Sequence, residues 1–289
     1  MSAVANGCNL IDTARNYRGG RSEVVVGNAI RALSAAGIAK RDELIVCSKA
    51  GYVSEQEARV RGFKASTVES NVLSPTFLSS EIALSLDHTG LQAIDIYLLH
   101  NPEVHLPKLG SRKFYRTLTS CFEILERYVT DKKIGTYGLA CWSAFDRNAR
   151  TLIDLSRVMD AARIAAGNRH VNFGAIETPL NWLHRNPVVA PTNRSLLKVC
   201  HENKLILLGS SPLAGGHFAR LPSELSHAIR EKLSDAQRSI QFARSLKGTS
   251  ATLVGMNSAD HIVENLRLRR TPALRRSVVQ RVCAALDSL

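Results

Sequence analysis

The sequence predicts a parallel α/β fold of barrel size, and three observations carry that expectation. Strand-like and helix-like patterns alternate from one end of the chain to the other, as βα units do. Seven apolar strand segments can be counted in that alternation. The length of 289 residues matches one α/β barrel of ~250 residues with little left over.

The elements follow in order. Cys8 to Ile11 reads as a buried strand with Asp12 where it ends, then Tyr17 and the turn Arg18-Gly19-Gly20. Ser22 is expected to cap a helix whose apolar positions are Val25, Val26, Ala29, Ile30 and Leu33. Leu44 to Lys49 is the second strand. Gly51 to about Pro75 shows no period and is long for a βα loop, so a substrate-facing insertion or a lid is expected there. Leu78 to His88 reads as a helix and Ile94 to His100 as the third strand. From Phe114 to Tyr128 one helical face carries Phe114, Leu118, Cys121, Phe122, Leu125 and Tyr128. Thr136 to Ser143 is the fourth strand with its exit loop, followed by a helix over 152–166 and an extended Val171 to Glu177. Ser195 to Glu202 reads as a helix, Leu205 to Ser210 as a strand, and Pro222 to Leu246 as helical. Ala251 to Val254 is the last strand. Two helices close the chain, Ser258 to Leu266 and Pro272 to Leu289, the second with proline at its start. No linker or repeat divides the chain, so one domain over 1–289 is expected, with a basic helical segment from about 267.

Hydrophobic content of 45% and 22% charged residues are those of an ordinary globular chain. No apolar run reaches the ~18 residues of a membrane span. The first residues resemble neither a signal nor a transit peptide, which points to the cytoplasm or another reducing compartment. The six cysteines, at 8, 47, 121, 141, 200 and 283, lack CxxC spacing. They read as reduced thiols in apolar segments, with no metal site implied. The net charge of +13 fits solvated basic helix faces and an anionic cofactor, or a polyanionic partner. Its densest run, Arg267-Leu268-Arg269-Arg270 with Arg275-Arg276, matches no nucleic-acid motif.

Asp12, Lys49 and His100 each end or follow a strand at its C-terminal side, with Tyr17 close behind the first; that is where a parallel barrel carries its chemistry. Reduction of a carbonyl needs a proton donor at the oxygen. A tyrosine of ordinary pKa ~10 serves only if a neighbouring charge tunes it. Lys49 can supply that charge, Asp12 can hold Lys49 charged, and His100 can polarise the substrate oxygen. Each residue also has a structural reading: a capping aspartate, a surface tyrosine, a solvated lysine, a core histidine.

Together, Ile11-Asp12-Thr13-Ala14 with Tyr17, Cys47-Ser48-Lys49, and Asp95-Ile96-Tyr97-Leu98-Leu99-His100-Asn101-Pro102 resemble the hallmarks of the aldo-keto reductase superfamily. The resemblance runs from Ala5 to about Leu266. It implies a (β/α)8 TIM-type barrel, Tyr17 as general acid/base tuned by Lys49 and Asp12, His100 orienting a small carbonyl substrate, and NADP(H) as cofactor, with NAD(H) as the alternative. Ala140 and Cys141 stand where the family has a nicotinamide-binding Ser-Asn pair, and Glu177 where it has a glutamine. Ser210-Ser211-Pro212-Leu213-Ala214-Gly215-Gly216 is similar to the pyrophosphate segment, with Ser210 in place of the stacking aromatic. From it Ser210, Ser211, Leu213 and Gly215 are expected at the cofactor. Gly255, Asn257, His261, Glu264 and Asn265 match the adenosine-phosphate segment.

The resemblance also implies that Asp12 ends the second strand of such a barrel. One βα unit of roughly 30 residues would then be lacking at the N-terminus. On that expectation the chain alone is poorly soluble or associates. A protein or nucleic-acid-rich partner would cover the open side. Two functions follow: an NAD(P)H-dependent reductase of an aldehyde, ketone or sugar lactol, or a non-catalytic subunit of a larger assembly, a pseudoenzyme. The intact tetrad favours the first, and the substitutions at Ala140, Cys141, Glu177 and Ser210 favour the second.

Overall fold

A computed structural model describes residues 1–63, 71–146, 149–185, 196–229 and 232–287. Its seven strands occur in the order of the chain, β1 to β7. Contacts divide it into two compact units, residues 3–176 and 177–289.

The first unit opens with a helical turn α1 (Ser2–Ala5) and β1 (Leu10–Asp12). It continues through α2 (Arg21–Ala35), β2 (Ile45–Ala50), α3 (Glu55–Val60), α4 (Pro75–Thr89) and β3 (Ile94–His100). Then come α5 (Leu106–Thr130), β4 (Ile134–Ala140), α6 (Leu155–Ala166) and the first half of β5 (Phe173–Pro179). The ladders are parallel, pairing Asp12 with Cys47, Lys49 with Leu98 and His100 with Ala140. That register gathers the strand-end residues at one end of the sheet. Between strands and helices lies an apolar layer. On α5, Phe114, Leu118, Cys121, Phe122 and Leu125 are all fully buried, as their helical spacing requires. The Tyr128 hydroxyl meets Ser79 at 3.1 Å. Phe122, Tyr137 and Phe173 pack together with ring centroids 5.3 to 5.7 Å apart. Each such buried aromatic contributes about 1.5–3 kcal/mol.

The second unit holds the rest of β5, then α7 (Leu196–Glu202), β6 (Ile206–Ser210), α8 (Ser223–Ala228) and α9 (Asp235–Ser245). It closes with β7 (Ala251–Thr252), α10 (Ala259–Leu266) and α11 (Arg276–Asp287). β6 and β7 pair in parallel. Trp182 stacks on Phe242 at 4.3 Å and donates its indole N–H to Ser239 at 2.8 Å. Buried tryptophan needs both an apolar face and an acceptor, and this unit supplies them.

Several boundaries differ from the sequence expectation. Helix α2 begins at Arg21 with Gly20 as its N-cap at φ 85°, so Ser22 lies inside the helix and receives a bond from the Thr13 hydroxyl at 2.8 Å. The buried face of α2 is Glu23, Gly27, Ile30 and Leu33, while Val25 is exposed. The last helix starts at Arg276, not at Pro272. The Pro272 carbonyl accepts from Gln241 and the Leu274 N–H donates to Ser245, so this segment's backbone is spent on α9. The expected loop after β2 contains α3 and is pinned by Phe63, Val53, Val72 and Phe77. Residues 64–70, 147–148, 186–195, 230–231 and 288–289 lie outside the described residues, and with them parts of the loop expected from Gly51 to Pro75 and of the helical segments expected over Ser195 to Glu202, Pro222 to Leu246 and Pro272 to Leu289. Among the described residues no helix is long and apolar enough to cross a membrane. All six cysteines are unpaired with one another, and five are buried.

Candidate active site

The site in the first unit is built around a buried charge. Lys49 is completely inaccessible at the end of β2, an expensive place for an ammonium unless it is paired and hydrogen-bonded. Asp12, ending the neighbouring β1, supplies the pairing with both carboxylate oxygens 2.6 Å from Lys49 Nζ, and the Thr13 carbonyl adds a bond at 3.2 Å. Strand register alone produces this meeting.

Beyond Asp12 the chain stays close to β2: the Thr13 N–H donates to Cys47 and the Arg15 N–H to Lys49. Two residues on, Tyr17 presents its ring to the ammonium, with Nζ 5.2 Å from the ring centroid. A cation at this range is attracted to the ring face and favours negative charge on the phenol. Tyr17 is 37% exposed and so accessible to a ligand, whereas Lys49 behind it is fully buried.

His100 completes the group. Its ring lies edge-on to Tyr17 at 5.9 Å and edge-on to Tyr52 at 4.9 Å. Burial pushes the imidazole down to about 3, and the Lys49 charge adds to the shift. A neutral imidazole has one N–H to donate and one lone pair to accept. Asp12, Tyr17, Lys49 and His100 are therefore brought together in one unit.

Around them lie residues that the sequence reading did not single out. Arg15, nearly buried, sits among Glu81 at 3.2 Å, Glu57 at 3.5 Å and Glu23 at 3.7 Å. Glu23 also accepts from the Ser48 hydroxyl at 2.7 Å, and Arg61 binds Glu81 at 2.6 Å. Burial raises the Glu81 carboxyl above its ordinary range, and the Arg15 charge opposes that. Glu103, buried after β3, accepts from the backbone N–H of Trp142 at 2.7 Å and of Ser143 at 3.1 Å. It thereby fixes the exit loop of β4, where Cys141 lies buried. The signal available for Tyr52 was an aromatic three residues after the strand-end lysine, next to Gly51. A Cβ at Gly51 would lie 2.4 Å from the His100 carbonyl, so only glycine permits this approach.

The second unit carries the other candidates. Glu177 is buried in β5. Ser210, partly buried, ends β6, and its carbonyl accepts from the Leu180 N–H at 2.9 Å. Ser211, Ala214, Gly215 and Gly216 all have positive φ, at 50°, 45°, 69° and 102°. Asn181 donates to the Ser211 carbonyl at 2.9 Å, and the Leu213 carbonyl accepts from Gly216 and Phe218. Successive left-handed residues make the kind of concave backbone that takes anions. Among the described residues, Cβ atoms at Gly215, Gly216 or Gly255 would meet nothing within 4 Å, which leaves space beside them. Ser258 caps α10 through the His261 N–H, and the His261 ring meets Asn257 at 3.2 Å. Glu264 is taken by Ser234, and its carbonyl accepts from Gln237, which ties it to α9. The Asn265 carbonyl accepts from Arg267 at the end of α10.

A family model described as the aldo/keto reductase family matches residues 1–287. The NADH-specific methylglyoxal reductase of Escherichia coli is 27% identical over 216 residues, which cover 75% of this chain and 56% of that protein. An aldo-keto reductase of Mycobacterium avium is 35% identical over 127 residues, 44% of this chain and 34% of its own length. The chain thus spans about half or less of these two curated relatives. Among solved structures, the holo form of an aldo-keto reductase from Bacillus halodurans superposes with a TM-score of 0.69 at 17% identity, over 98% of this chain and 84% of that one. A Klebsiella pneumoniae aldo-keto reductase in complex with NADPH gives 0.65 at 19% identity, over 97% and 81%. At such identities the likeness is one of fold. It bears out the α/β class of (β/α)8 type, with seven strands among the described residues.

Proposed function

This chain belongs to the aldo/keto reductase family, and on that premise we propose that it interconverts an aldehyde, ketone or sugar lactol with the corresponding alcohol. Tyr17 is the general acid and base. The observation that carries the reading is the buried Lys49 ammonium, held by both oxygens of Asp12 and facing the Tyr17 ring.

In the reducing direction the Tyr17 hydroxyl gives its proton to the substrate oxygen and is left as a phenolate. Lys49 stabilises that anion, and Asp12 keeps Lys49 charged and in place. His100, neutral in its pocket, donates a hydrogen bond to the same oxygen as negative charge gathers on it. A nicotinamide nucleotide supplies the hydride in this direction and takes it up in the other. NADP(H) is the proposed form, with Ser211, Leu213, Gly215, Gly255, Asn257 and His261 holding its phosphates and Asn265 its adenosine. The open space beside the glycines and the left-handed backbone at Ser211 and at 214–216 suit an anion. Cys141 and Glu177 are proposed to face the nicotinamide amide.

Fluorescence titration with NADPH and with NADH tests the cofactor, and a 2-oxoaldehyde is the first substrate to try, given the Escherichia coli relative. Tyr17→Phe is expected to cut turnover by about 10²–10⁴ while the nucleotide dissociation constant stays nearly the same. Retained turnover removes Tyr17 from the mechanism. Absence of binding to either nucleotide overturns the reductase reading in favour of a non-catalytic subunit, a reading suggested by Cys141, Glu177 and Ser210.

A further inference from the structure

A histidine that must present one nitrogen to a substrate is usually aimed by a hydrogen bond at the other. Among the described residues His100 has no such bond: Nδ1 is buried and meets no hydrogen-bond partner. Something else must hold the ring. Tyr52 packs edge-on against it at 4.9 Å and 89°, closer than Tyr17 at 5.9 Å and 79°.

Tyr52 is itself fixed from several sides. Its hydroxyl accepts from Asn101 Nδ2 at 2.8 Å, and Asn101 holds a left-handed backbone at φ 49° directly after His100. Tyr52 bridges to Asn71. Asn71 in turn donates to the His100 carbonyl at 2.9 Å and meets His105 Nε2 at 2.9 Å through its own oxygen. The neighbouring Gly51 carbonyl accepts from Val72 at 2.8 Å. These bonds tie the segment after β2 to the end of β3 and leave the Tyr52 ring against the imidazole. The hydroxyl points to Asn101, so the ring is what acts on His100.

We infer that Tyr52 is the positioning residue for His100, setting the plane of the imidazole and shutting water from it through its ring. The inference rests on the reading above that His100 meets the substrate oxygen. The groups facing the imidazole are Lys49 from β2, Tyr17 from the turn after β1 and Tyr52. Of these, Lys49 is the full charge, and it and the burial both oppose protonation.

Histidine ring NMR follows the titration directly, with His100 assigned by its absence in His100→Asn. In the wild type the His100 signals should not titrate above about pH 4, in keeping with a value of about 3. Tyr52→Leu removes the ring and admits water, so the titration should rise by at least about one pH unit toward free imidazole. With it kcat should fall by up to about a hundredfold, with a much smaller change in KM. Tyr52→Phe keeps the ring and should titrate like the wild type, with kcat within a few-fold. A Tyr52→Leu protein whose His100 titrates as in the wild type overturns the inference. If Tyr52→Leu does not fold, ring-to-ring nuclear Overhauser contacts between Tyr52 and His100 in the wild type decide it, and their absence overturns it. The titration needs no turnover. A chain without reductase activity therefore fails the proposed function and not this inference, and loss of turnover in Tyr17→Phe beside an unaltered Tyr52→Leu does the reverse.

Discussion

At Lys49 a whole positive charge is kept out of water, and the Asp12 carboxylate pairs with it at Nζ. Removing one partner of a buried pair is costlier than removing both, because it strands the other charge. Asp12→Asn should therefore lower the unfolding free energy by about 3–5 kcal/mol, read by urea denaturation. The double variant carrying Lys49→Met as well should recover much of that stability and none of the turnover. Equal stability of the two would mean that Lys49 is solvated some other way. The pair was legible in the sequence because an ionisable residue closing an apolar run marks a strand end, and strand ends of a parallel sheet converge. Tyr52 and Glu23 were not. Tyr52 acts through Gly51, whose need for close approach is a property of two strands. Glu23 reaches Ser48 and Arg15 only once α2 has turned Glu23 inward.

Among the elements, helix α5 was the easiest to read, since five apolar residues at helical spacing bury one face completely. Helix α2 was harder. Its valines at 24 and 25 are exposed, and a glutamate occupies the buried face. Polar pairing overrode hydrophobic periodicity there. The exit loop of β4 shows the same effect, because Glu103 holds it by two backbone bonds. Burial raises the Glu103 carboxyl above its ordinary 4.5, against the hydrogen bonds to Ser143 and Trp142. A folded value above the unfolded one means that the native state holds the proton more tightly. The contribution is full below the unfolded value of about 4.5 and is lost as pH rises through the folded one. Glu103→Gln keeps an acceptor oxygen and removes the ionisation. Stability of the variant relative to the wild type should thus climb as pH goes from 4 to 7. A difference independent of pH, measured by denaturation across that range, would mean that ionisation at Glu103 costs the fold nothing.

For the whole molecule the question is whether residues 1–289 unfold as one body. Contacts part the chain between Ile176 and Glu177. Domain boundaries usually fall in exposed, flexible linkers, whereas both of these residues are buried in the middle of β5. A strand cannot be half folded without exposing the ladder groups of its other half, so a single cooperative transition is expected. The two tryptophans offer a way to test it, with Trp142 in the first unit and Trp182 in the second. Trp142 is 54% exposed and Trp182 fully buried against Phe242. Trp142→Phe therefore disturbs little, whereas truncating a buried tryptophan costs about 3–5 kcal/mol. In Trp142→Phe the remaining tryptophan fluorescence, excited beyond the tyrosine absorption, reports residues 177–289 alone, and far-ultraviolet circular dichroism reports the helices of both units. Coincident urea transitions from the two probes mark one cooperative domain. A fluorescence transition separated from the dichroism midpoint, with a smaller denaturant slope, would show that the two units unfold independently and that the chain comprises two domains.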